Sequence, residues 1–187
     1  MSIAHHRPKD PESVRRALID CAARLAVTEG LAGLSIQAVA SAANVTKGGL
    51  FHHFPSKQAL IEAVFLDLLE TLGRDIDRLM AEDETASGAF TRAYVTVTIQ
   101  GDMAKPNTPW PALFISALTD PALRKRWADW YQARLQRHAA TDSAPHLAII
   151  RYAADGVWLA DMMNMENFDR ADLCARLIEA TRKEIDL

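Results

Sequence analysis

The chain has 187 residues, 49% apolar and 24% charged, which fits one globular domain or two small ones with enough apolar mass to bury a core unaided. Cys21 and Cys174 lie far apart in apolar helical patterns, so no disulfide framework is expected, and no stretch has the ~20 apolar residues of a membrane helix or the core of a secretion signal; a soluble cytoplasmic protein without membrane contact follows. The net charge of -3 divides into +3 over residues 1–57 (seven Lys and Arg, four Asp and Glu) and -6 over residues 58–187 (fourteen and twenty), a basic end that suits a polyanionic partner on an acidic body.

None of the eight prolines interrupts a long periodic stretch, and no alternating strand pattern is bounded by hairpin turns. The fold class is therefore all-α, with about nine helices. Asp10 as N-cap, Pro11 and Glu12 open a first helix with Val14, Leu18, Cys21, Ala22 and Leu25 on one face, and Gly30 stops it. Ser35 caps a short helix with Ile36, Val39, Ala40 and Ala43 inward. Asn44 and Val45 turn the chain, and Thr46 caps a second short helix ending near Phe54. Pro55 and Ser56 begin a long helix whose apolar face is Leu60, Ile61, Val64, Phe65, Leu68, Leu72, Ile76 and Leu79. The acidic stretch from Glu82 to Gly88 ends it. Further helices are expected at roughly 86–104, 109–118, 121–141, 146–164 and 169–185.

Two short helices joined by a tight turn at about residues 35–54 have the spacing of a helix-turn-helix, which places its second helix in the DNA major groove. Plain packing of two helices has the same spacing, so the side chains must decide. The hydroxyls of Ser35 and Thr46, at helix N-termini, can meet phosphates. Lys47, one residue into the second helix, can reach a phosphate or a guanine edge. Gly48 and Gly49 each cost a helix interior ~1 kcal/mol relative to Ala, and close approach of the backbone to DNA would offset that. His52 and His53 lie about 100° apart on a helix, which suits backbone or base-edge contacts and not one shared metal. Arg7 and Lys9 are placed for a basic arm, or for a plain tail.

The run Thr46, Gly48, Leu50, Phe51, His53, Phe54, Ser56, Lys57, Leu60 resembles the TetR family of bacterial transcriptional regulators, whose second helix and following junction read T/S-x-G-x-L-Y-x-H/Y-F-x-S-K-x-x-L. Upstream, Gly30, Ser35, Val39 and Ala40 are similar to the family's G-x-x-x-x-T-x-x-x-I-A. The resemblance covers about residues 12–65; beyond it, helical layout and length match. It implies a three-helix DNA-binding head at residues 1–56 and a ligand-binding, dimerising body at residues 57–187. Phe51 stands where the family usually has a tyrosine whose hydroxyl reaches a phosphate, which leaves packing or contact with a thymine methyl. At Gly49 the family often has Thr, Ser or Ala, so one base-reading side chain is missing. Lys57 resembles the family's phosphate clamp. A lysine in a first helical turn opposes the helix dipole, and a phosphate would resolve that conflict.

The resemblance further implies a homodimer through a four-helix bundle of the last two helices, for which Ile150, Ala153, Ala154, Val157, Leu173 and Leu177 are the expected interface residues. Phe90, Tyr94, Trp110, Phe114, Trp127, Trp158 and Met162 suit the lining of a pocket for an unidentified apolar or aromatic effector, or plain core. Asp155 and Asp161 flank Trp158, where they would select a cationic ligand or sit at the dimer surface. No nucleophile-base pair, phosphate loop or metal cluster stands in the sequence, and His138 and His146 lie among unrelated residues, so neither an enzyme nor a cofactor is expected. The expected function is a ligand-released repressor binding double-stranded DNA at a palindromic operator. A helical small-molecule-binding or scaffold protein with a degenerate head is the alternative.

Overall fold

The computed structural model describes residues 10–105, 107–165 and 169–183, which form ten α-helices and one 3₁₀ turn, with no strand among the described residues. They fall into two compact units, divided between Phe65 and Leu66.

In the first unit, α1 (Pro11–Gly33) starts at Asp10, whose carboxylate accepts the Ser13 N–H at 3.3 Å. Gly30 breaks the helical path with φ 65°, a left-handed conformation open to glycine, and the Leu34 N–H donates back to its carbonyl at 3.3 Å. The expected stop is thus a kink followed by one more turn. Then come α2 (Ile36–Ala42) and α3 (Lys47–His53), joined through Asn44 at φ 53°. The start of α4 (Lys57–Ala81) completes the unit before the helix runs on into the second. Leu18, Ala22, Leu34, Val39, Leu50, Leu60 and Phe65, drawn from all four helices and the α1–α2 link, are at most 1% exposed. At roughly 1.5–3 kcal/mol for each large side chain buried, this core fixes how α3 is carried.

The second unit is built around α5 (Ala89–Ile99), in which every residue but Thr96 is buried. It packs against α8 (Ala139–Asp142), α9 (Pro145–Met162), α10 (Arg170–Ala180) and the 3₁₀ turn at Asp102–Ala104, while α6 (Trp110–Thr119) packs on α7 (Pro121–Arg137). The expected helix at 86–104 breaks at Gly101, where a side chain would run into the Val97 carbonyl. The expected helix at 121–141 breaks at His138, whose ring stacks on Phe90 at 5.0 Å. That break lets Asp142 turn inward. Its carboxylate accepts the Thr91 N–H (2.8 Å) and hydroxyl (2.7 Å) and so caps α5, whose own N-cap, Gly88 at φ 74°, has no side chain to offer.

Arg92 ties the α4–α5 link together from inside. Nε and Nη2 donate to the Asp83 carboxylate (2.7 and 3.1 Å), Nη2 also to the Thr85 carbonyl (2.5 Å), and Nη1 to the Ser87 carbonyl (2.9 Å) and Thr181 hydroxyl (3.2 Å). This guanidinium holds Asp83 below the usual carboxylate range.

One expectation is corrected here. Ile150 and Ala154, assigned to a dimer surface, are 3% and 0% exposed and belong to the protomer's own core with Val95, Ile99, Leu147 and Cys174. Val157 and Leu177 pack against that same core, and Ala153 and Leu173 are half-buried. The reason is that α9 is apolar on both faces: its outer side carries Ile149, Tyr152, Leu159 and Met163, all exposed.

Candidate nucleic-acid interface and effector cavity

Leu50 and Phe54, 0% and 3% exposed, seat α3 in the first unit, and the Arg15 guanidinium lies 5.2 Å over the Phe54 ring. That seating turns Thr46, Lys47, Gly48, Phe51 and His52 outward and leaves Gly49 and His53 half-buried. Thr46 accepts the Gly49 N–H at 3.0 Å and Ser35 the Ala38 N–H at 3.1 Å, so both cap as expected while their hydroxyl protons stay available to an acceptor. The Lys47 ammonium stands 5.9 Å over the Phe51 ring, one turn away. Rings of His52 and His53 meet edge to face at 5.6 Å. Lys57 donates to the Leu31 carbonyl at 3.1 Å, which fixes the side chain and leaves two of its ammonium hydrogens for another partner. Arg7 and Lys9 lie outside the described residues. Among the described residues no group of three His, Cys, Asp or Glu is placed to hold a metal ion.

In the second unit the expected effector residues form one connected aromatic cluster. Phe114 meets Trp127 (5.3 Å) and Trp158 (4.8 Å) edge to face, Trp127 meets Trp110 (6.5 Å) and stacks on Tyr131 (6.2 Å), and Tyr131 leads to Tyr94 (5.6 Å) and so to Phe90 (6.1 Å). Trp158 and Met162 line a cavity of about 370 Å³ with Met103 and Pro111, rimmed by Lys105 and an Asp161–Arg170 ion pair of 2.9 Å. Trp110 borders a smaller recess of about 90 Å³. Phe90 and Tyr94, expected to line a pocket, are 0% exposed, so no water-sized space adjoins them; they are core, and this corrects their assignment. Tyr94 donates to the Asp155 carboxylate at 2.7 Å. Burial pushes Asp155 up to about 6, and burial together with the Asp155 charge pushes the Tyr94 phenol well above its ordinary range.

Comparison with known proteins supplies what the geometry lacks. Residues 18–64 match the family model for bacterial regulatory proteins of the tetR family, and residues 88–182 that for the tetracyclin repressor-like C-terminal domain. Over 170 residues the chain is 30% identical to the transcriptional regulator BetI of Paraburkholderia phymatum, covering 83% of this chain and 85% of that one. The chain belongs to the TetR family. It is also similar to the transcriptional repressor KstR2 of Mycolicibacterium smegmatis, at 26% identity over 169 residues, 84% of this chain and 82% of that one. Among solved structures, the multidrug binding protein EbrR in complex with imidazole matches at TM-score 0.70 and 26% identity over 96% of each chain.

This TetR-family chain is thus a DNA-binding transcriptional regulator with a C-terminal ligand-binding domain. Among the described residues no helix is long and apolar enough to cross a membrane. Sequence reasoning missed the charged rim of the cavity, Lys105 and Arg170, because these residues meet it from separate segments. It also missed Ile149 and Tyr152 on the outer face of α9. The signal was present: Ile149 and Tyr152 recur at helical spacing with Leu159 and Met163, one stripe over from Ile150, Ala153, Ala154 and Val157.

Proposed function

We propose that this regulator is a ligand-released repressor that binds a palindromic operator as a homodimer. The observation that carries the reading is the outward surface of α3, where Thr46, Lys47, Gly48, Phe51 and His52 are exposed around a helix anchored by Leu50 and Phe54. A short helix reads one half-site, so affinity requires a twin in a second subunit, about 34–36 Å along the duplex. The exposed stripe Ile149, Tyr152, Leu159 and Met163 on α9 supplies an apolar surface for that pairing. Ser35, Thr46 and Lys57 position the phosphates, Lys47 and His52 read base edges, and Phe51 offers its ring to a thymine methyl.

The effector is an apolar or aromatic small molecule. The cavity bounded by Met103, Pro111, Trp158 and Met162, beside the aromatic cluster, supports this, as does the similarity to EbrR, also solved in complex with malachite green. Effector binding shifts the population toward a conformer that does not fit the operator, and α4, shared by both units, transmits the shift.

Gel shift against the DNA upstream of the protein's own gene, at several salt concentrations, tests the reading. Retardation that weakens steeply with salt and is reversed by an aromatic compound supports it. Absence of retardation and of a salt slope returns the chain to a scaffold with a degenerate head. Within a bound complex, Lys57→Ala is expected to weaken all sequences alike and Lys47→Ala to alter preference among them as well.

A further inference from the structure

The inward faces of α4 and α7 leave a groove that the operator and effector reading does not use. Its volume is about 450 Å³, within the range of about 300–1,000 Å³ usual for small-molecule sites. The floor is apolar: Leu66 and Leu69 of α4 face Trp130 and Ala133 of α7. Leu66 is 43% exposed there, an apolar surface left to water between charged walls. The rim carries Arg74, Arg134 and Arg137 against Glu70, and Arg134 is paired with Asp77.

These charges are unequally engaged. Arg74 pairs with Glu70 at 2.9 Å, whereas Arg137, 65% exposed, approaches Asp77 no closer than 3.9 Å. Arg134 lies across the groove. Its guanidinium sits 5.7 Å over the Trp130 ring, binds Asp77 and occupies the space a side chain at Gly73 would need. Three guanidinium groups over an apolar slot lack one carboxylate for neutrality. Arginine's planar fork matches a carboxylate in two hydrogen bonds.

We infer that this groove is a binding site for an amphipathic carboxylate, its apolar tail on Leu66, Leu69 and Trp130 and its carboxylate on Arg134 and Arg137. The bound carboxylate competes with Asp77 for Arg134 and so loosens the contact between α7 and α4. A cationic amphiphile of equal length meets three arginines and is rejected.

Calorimetric titration of the full-length protein with decanoate, below its micellar concentration, tests this, with decyltrimethylammonium as the opposite-charge probe. Decanoate is expected to bind at least tenfold more tightly than the cation. Exchange of the two exposed rim arginines, Arg74→Ala with Arg137→Ala, removes one of the two carboxylate partners and a second positive charge from the rim, and is expected to weaken decanoate at least tenfold without changing the melting temperature, since both side chains are more than half exposed. Asp77→Asn, which removes the competitor, is expected to tighten it severalfold. Failure of decanoate to bind, equal binding of both probes, or an unchanged double variant overturns the site; unchanged or weaker binding by Asp77→Asn overturns the competition. No DNA enters the titration, so its outcome is independent of the operator reading.

Discussion

The head and the body of this regulator weight local and remote polar contacts differently. In the head, capping bonds are local: Asp10 to Ser13, Ser35 to Ala38 and Thr46 to Gly49 each span three residues, at exposed positions. The body has such local caps at Asp120 and Asp169, and adds remote pairs inside the protein: Asp142 serves Thr91 across 51 residues, Tyr94 meets Asp155 across 61, and Arg92 meets Thr181 across 89. Local capping completes α3 without drawing its outer face into the protein, which leaves that face to phosphates and bases. Remote pairing fixes the packing of helices that share little sequence proximity, at the risk that every partner removed leaves a buried polar group unsatisfied.

That contrast breaks first if the body's polar groups prove dispensable. Arg92 is the sharpest case, because five hydrogen bonds converge on one guanidinium whose side chain is 5% exposed. Arg92→Ala strands Asp83 and two carbonyls, with an expected loss of about 3–5 kcal/mol, the range for breaking a buried charge pair. Urea unfolding measures it, and a loss below 1 kcal/mol would show that the α4–α5 link is held by other means. Asp155 offers a smaller effect of opposite sign. With its folded-state value near 6, the folded protein keeps a proton there that the unfolded chain has released above about pH 4, so stability falls from about pH 4 to pH 6 and the penalty is full at neutral pH. Asp155→Asn still accepts from Tyr94 and is expected to gain about 1–2 kcal/mol at pH 8 and nothing at pH 4. Thermal melts at both values decide the matter; an equal difference at each would deny Asp155 its buried-acid character.

The same contrast explains what could be read from the chain. Asp10, Ser35 and Thr46 announce helix starts because their partners lie within one turn, and Gly30, Asn44 and Pro55 announce the breaks for reasons equally local. So the helix-turn-helix was legible, and of the residues expected on its outer surface Ser35, Thr46, Lys47, Gly48, Phe51 and His52 are exposed. Gly49 and His53, drawn in by the seating of α3 on Leu50 and Phe54, and Lys57, bonded to the Leu31 carbonyl, are half-buried. His138 gave no such warning: the break there depends on Phe90, some fifty residues earlier, and on Asp142 having a distant helix to cap. The faces of α9 were illegible for another reason. Ile149 and Ile150 are chemically alike, and which of them lies inside depends on where α5 and α10 pack, a fact no periodicity contains.

The subtlest test lies in the head, where two adjacent glycines have different reasons to be glycine. A Cβ at Gly49 would come within 3.2 Å of the Thr46 hydroxyl, so a side chain there has to shift the cap of α3 by a few tenths of an ångström. A Cβ at Gly48 would meet the same hydroxyl at an ordinary 3.9 Å, and the position is exposed. Nothing inside the protein requires glycine there. Gly48→Ala is therefore expected to stabilise the free protein by up to ~1 kcal/mol, through the greater helix propensity of alanine. If glycine stands there so that DNA can approach the backbone, the same change is expected to weaken operator binding by about tenfold, equivalent to about 1.4 kcal/mol. A thermal melt and a fluorescence anisotropy titration on one preparation give both signs. Higher stability with undiminished affinity would move the DNA away from the start of α3, and the exposed surface there would need another occupant.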